Sequence, residues 1–139
     1  MIVEHYQAVF NLIDGHEDLN GKGYDTVRRD QAGKLVREAY WVLFGGGPEE
    51  LDDDRLTAPQ TPAATARYVY TLRAIAVDSI GARRITDMAI TRLAGGQPQV
   101  EGRAIDPLEI TSREVETDGP ITEPLYYCDT EIVLISRRA

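Results

Sequence analysis

One cysteine, two histidines and no long apolar run remove several chemistries from this 139-residue chain at once. The single thiol, Cys128, has no internal partner for a disulfide and sits in an apolar strand pattern, so it reads as a reduced packing residue. His5 and His16 lie eleven residues apart with no ligand pattern around them, which marks them as surface residues and not a metal pair. No stretch approaches the roughly 18 apolar residues of a membrane span. The opening MIVEHYQAVFNLID also lacks the basic flank and continuous apolar region of a signal peptide. A cytoplasmic protein with no membrane partner is the expectation. Positive charge is scarce too: 15 basic against 23 acidic residues give a net charge of −8, which repels a phosphate backbone. That argues against a dedicated nucleic-acid binder, but not against a protein whose acidic surface lets DNA pass without holding it.

Catalytic signatures are equally thin. There is no G-x-S-x-G, Cys128 has no positioned histidine, and Gly45-Gly46-Gly47-Pro48 is not followed by the Lys-Ser/Thr of a phosphate loop. From Asp14 to Asp25, Asp14, His16, Asp18 and Asn20 alternate like calcium ligands. However, Leu19 stands where the sharp bend needs glycine, and Asp25 stands where a bidentate glutamate is needed, so the segment reads as a solvated turn. Asp52, Asp53 and Asp54 are adjacent, repel one another and cannot easily converge on a cation. The best acid/base candidates are Glu114, Glu116, Asp129 and Glu131, which could face each other across a terminal hairpin. The competing reading is a solvated sheet face, or carboxylates paired with arginines of a neighbouring chain.

What is present fits one folded unit over 1–139, with 42% apolar and 27% charged residues, enough to bury about two-thirds of the unfolded surface. The chain is arranged around 64–93. Arg67–Val77 is largely apolar on both alternating sets, as in a central strand. Ser79 is placed to cap a helix carrying Ile85, Met88, Ala89 and Leu93 at helical spacing, which stops at Gly95-Gly96. Before it, Ile2–Asp14 spaces Val3, Tyr6, Phe10 and Ile13 as a short amphipathic helix. Gly23–Phe44 reads as a hairpin: a strand near Tyr24–Arg28, a turn at Asp30–Gly33, and a strand Leu35–Phe44 whose spacing also allows a helix. Gly45 opens a long acidic loop to Pro62, the leading candidate for a partner-facing arm. A strand near Leu108–Val115, a bend at Asp118-Gly119-Pro120 and a last strand Leu125–Ser136 complete the chain. The sum is an α/β (α+β) fold: a mixed four- to five-stranded sheet packed by two helices, with a long acidic loop.

Charge is unevenly spread. Glu49, Glu50, Asp52, Asp53 and Asp54 crowd the loop, while Arg28-Arg29, Arg83-Arg84 and Arg137-Arg138 form three arginine doublets suited to bidentate contacts. Complementary patches on one small unit point to head-to-tail contacts that can close into a ring. Apolar surface of Trp41, Phe44 and Val133 or Ile135 is expected to be lost at such contacts.

The AYWVLFGGGP run, the RYVYTLRAIAVD strand, the SIGARRITDMAITRLAG helix and the closing PLYYCDTEIVLISRRA together resemble the tail terminator (tail-completion) proteins of long-tailed bacteriophages. The likeness is to the minor tail protein U type, especially of phages of actinobacteria. It covers the chain from Tyr40 onward, with the first forty residues matching by layout alone. It implies a structural virion protein, not an enzyme, with no cofactor, no metal and no catalytic residues. It implies a homo-oligomer, a hexameric ring, on the last ring of the tail tube. Its partners would be the major tail tube protein and a head-completion or neck protein, with DNA passing through the lumen. It places the protein in the virion tail at the neck, and in the host cytoplasm during assembly. The alternatives are another head-tail connector, a small acid/base enzyme using the last hairpin, or a monomeric binding module with one groove.

Overall fold

The structure, a computed structural model, describes residues 2–50, 65–118 and 123–138, apart from the side chains of Glu49 and Glu50. Asp52, Asp53, Asp54, the rest of the expected acidic loop, and Gly119-Pro120 lie outside the described residues.

Sequence alternation alone decides the middle of the sheet. In Thr65–Ala76 (β3), every second side chain from Ala66 to Ala74 is buried, and the strand is paired on both sides. Tyr40–Glu50 (β2) runs antiparallel along one side and Leu125–Arg138 (β7) antiparallel along the other. A two-residue strand, Gly23–Tyr24 (β1), adds to β2 in parallel, so the sheet is mixed as expected. Ile2–Asp14 (α1) and Ser79–Gly95 (α2) both cover the face bearing Tyr68, Tyr70, Leu72 and Ala74, where the main core forms. Arg92 Nε donates to Leu12 O at 2.9 Å, tying the end of α2 to α1. Among the described residues, no helix is long and apolar enough to cross a membrane.

The outer edge of β7 is covered by three short strands, Arg103–Ile105 (β4), Glu109–Ser112 (β5) and Glu116–Asp118 (β6). From Ile105 to Glu109 the chain advances four residues while its partner moves only from Ser136 to Val133; the same slip recurs between Ser112↔Thr130 and Glu116↔Tyr127. Residues 103–118 are therefore one rim strand with an extra residue at each of two bulges, where the sequence suggested a single strand near Leu108–Val115.

Several expectations are corrected. The Gly23–Phe44 hairpin is reduced to an antiparallel bridge, Arg29↔Leu35, around the anticipated turn, where Asp30 Oδ1 accepts from Ala32 N and Lys34 N and Gly33 takes φ +81°. The long strand begins at Tyr40, not Leu35, and runs through the glycines to Glu50. Gly45 opposes Tyr70 and Pro48 opposes Tyr68, so the triple glycine absorbs a bulge within β2 and opens no loop. Gly45 and Gly46 supply the left-handed backbone this needs, at φ +91° and +90°. Pro48, which has no N–H, suits an edge strand. On α1 the buried stripe is His5, Val9 and Ile13, while Val3 is 73% exposed. The α2 cap is Asp78, whose carboxylate accepts from Gly81 N at 2.5 Å, with Ser79 already inside the helix.

Candidate functional site

The sheet face away from the helices is covered only in part. Tyr40, Val42, Ile75 and Leu125 form a small second core there under Tyr24, Val27 and Leu35. Beyond it, Phe44 is 36% exposed and Val69, Thr71 and Ile135 are half-buried. Arg73 and Asp129 stand opposite each other in the ladder and form a bidentate pair at 2.8 and 2.9 Å. The guanidinium also lies 4.4 Å over the Tyr127 ring and 5.7 Å over that of Phe44. Tyr127 Oη donates to Glu116 Oε2 at 2.5 Å, and that bond holds the phenol above its ordinary pKa. The result is a rigid aromatic and ionic platform bordering a half-open apolar strip. Interface anchors of this composition are common.

The structure sorts the expected contact residues. Trp41 is removed from them: it is fully buried, its ring packs 4.7 Å from Phe10, and its Nε1 donates to Leu19 O at 3.0 Å. Val133 is also buried within the chain, at 6% exposure, leaving Phe44 and Ile135 as apolar surface. Arg28 pairs with Glu38 at 2.8 Å and lies over the rings of Tyr24 and Tyr40; Arg29 donates to Gly33 O. Arg137 pairs with Asp106 at 3.0 Å, and Arg138 is also engaged. Arg83 and Arg84 project from the exposed side of α2 with no side-chain partner among the described residues. Glu49 and Glu50 end β2 opposite Arg67 and Ala66.

The four carboxylates of the terminal strands do not converge as a group. Asp129 is held by Arg73 and Glu116 accepts from Tyr127, while Glu114 and Glu131 are exposed. Asp14 closes its own turn, accepting from Gly21 N at 3.0 Å and Asn20 Nδ2 at 3.2 Å.

Sequence reasoning missed one constellation. His5, expected at the surface, is fully buried, stacked 4.2 Å from the Tyr68 ring with Nε2 2.8 Å from Ser136 Oγ. Arg103 Nε donates to the same oxygen at 2.8 Å, which leaves the serine proton free to point at the imidazole. The spacing is that of a nucleophile and base. Both groups are at 0% exposure, however, so the arrangement fastens α1 to the end of β7. The signal was Ser136 in an apolar strand, but nothing local links it to a residue 131 positions away.

No family model matches the chain, and no curated protein matches it.

Proposed function

We propose that the chain is a structural virion protein of the tail-terminator kind, whose copies form a ring that caps the phage tail tube, stops its polymerisation and offers a surface to the head. The observation that carries this reading is the one-sided sheet: two helices cover one face, and the other keeps Phe44, Val69 and Ile135 partly open beside the Arg73–Asp129 platform. A half-covered sheet face suits a subunit completed by its neighbours. The net charge of −8 suits a lumen that conducts DNA without retaining it. A stable ring requires on the order of 1,000 Å² or more buried per contact. A hexamer, the tube protein and a neck protein as partners, and a place at the top of the tail follow from the resemblance carried by YWVLFGGGP, the β3–α2 unit and the closing strand.

Electron microscopy of the purified chain, alone and mixed with tail-tube protein, tests the reading. Rings, and tubes of arrested length ending in them, are the expected images. A chain that leaves tube length unchanged and binds portal-side proteins instead belongs at a different ring of the neck.

A further inference from the structure

In a chain this rich in carboxylates, an arginine without a partner is unexpected. Arg28, Arg73 and Arg137 have ion pairs; Arg29, Arg37, Arg92 and Arg103 donate to backbone or hydroxyl oxygens; Arg67 and Arg138 are also engaged. Among the described residues only Arg83, Arg84 and Arg113 have no such side-chain contact. Arg83 and Arg113 line one cleft of about 490 Å³ between α2 and the rim strand, and Arg84, the next residue on the helix, borders the adjoining cleft together with Asp18 and Asp87. One turn before them on α2, Ile80 is 60% exposed. The surface combines planar cationic forks with an apolar anchor, a pairing suited to acidic peptide.

We propose that this face of α2 receives the acidic run Glu49–Asp54 of a second copy of the chain, with Arg83, Arg84 and Arg113 gripping its carboxylates and Ile80 seating its Leu51. The run EELDDD is the densest acidic stretch in the sequence and has one apolar residue in its middle. Within one copy the backbone at Glu50 and at Arg113 lies far apart. Glu50 sits on β2 opposite Ala66, whereas Arg113 is bonded to Asp129, which pairs with Arg73. Seven residues along the sheet and three strand spacings across it separate the two by about 27 Å. A chain segment of four residues spans at most about 14 Å. Docking between copies has no such tether. Asp87 and Glu114 also line the cleft, and among the described residues neither forms an ion pair with these arginines. Because donor and receiver are different surfaces, the contact is head-to-tail, the kind that closes into rings. It deepens the ring reading above and rests on it for the arrangement of copies.

Reciprocal charge reversal in the full-length chain tests the contact. Sedimentation velocity is run on the native chain, on R83E/R84E/R113E, on D52K/D53K/D54K, and on the combination, with circular dichroism melts confirming that each folds. Each single set is expected to weaken self-association by at least about tenfold, and the combination to restore it. A monomeric native chain, association indifferent to either set, or failure of the combination to restore it would overturn the contact. So would release of co-purified nucleic acid on reversing the arginines with no change in association. Tube capping by the same proteins separates this claim from the broader one. Capping that ignores both reversals sinks the contact alone. Reciprocal rescue without capping sinks the tail reading and leaves the contact standing.

Discussion

Gly46 lies so close to the ring of Tyr70 that a Cβ on it would stand 2.4 Å from Cε1. Its φ of +90° is itself a conformation that side chains resist. Gly46→Ala should therefore cost about 2–4 kcal/mol, from backbone strain plus displacement of the ring. Gly47, with open space around it, is the control: Gly47→Ala should stay within about 0.5 kcal/mol. Urea midpoints of the two variants decide whether the triple glycine is a fitted bulge. Equal losses would refute it.

Tyr70 is fully buried and its hydroxyl has no hydrogen-bond partner among the described residues, so the native state carries the desolvation of that group uncompensated. Tyr70→Phe should be neutral to about 1 kcal/mol stabilising in thermal or urea unfolding. A loss of stability would mean that the hydroxyl makes a bond in solution.

Alkali provides a second reading of the same region. Burial holds the phenols of Tyr6, Tyr40 and Tyr70 above their ordinary range, and the bond to Glu116 does so for Tyr127. The folded chain keeps protons that the unfolded chain gives up near pH 10, so stability is intact below about pH 10 and falls as pH rises past it. Urea midpoints measured across that range should decline, and less steeply in Tyr70→Phe. A flat profile would refute the burial of these hydroxyls.

The Arg73–Asp129 pair is about three-quarters shielded, with side-chain exposures of 28% and 22%. Arg73→Lys keeps the charge but loses the fork and most of the stacking on Tyr127, and should cost about 1 kcal/mol; Arg73→Ala should cost about 2. A double-mutant cycle with Asp129→Ala is expected to show coupling of about 1–2 kcal/mol. Negligible coupling would mean that the platform contributes shape alone.

Helix α2 offers a test between adjacent residues. Asp78→Ala removes the carboxylate that accepts from Gly81 N and should cost about 1 kcal/mol, whereas Ser79→Ala should change stability by less than about 0.5. Comparable losses would return the capping role to Ser79.

The parts of the fold legible in the sequence were those whose signal is local. Period-two burial in β3 and β7 and the Ile85, Ala89, Leu93 stripe of α2 follow from spacing alone, and both survive in the structure. Gly45-Gly46 misled because a loop and a bulge demand the same permissive backbone; only the register against Tyr70 and Tyr68 tells them apart. The three-residue strands β4 and β6 are too short to carry a period and exist because β7 templates them. His5 and Trp41 owe their burial to Ser136 and Leu19, contacts that no window along the chain contains. Of the candidate contact residues, the sequence showed the arginine doublets but not which were already engaged inside the chain.

The two kinks in the rim strand make its length negotiable. Adding or deleting a residue at 106–108 or 113–115 alters the size of an existing irregularity, because each interval already holds one residue without a counterpart on β7. The same change inside β3 would exchange the sheet's inner and outer faces from that point onward. Tags and cross-linking handles therefore belong on the rim, and the middle strand is the place where a frame-preserving insertion does the most harm.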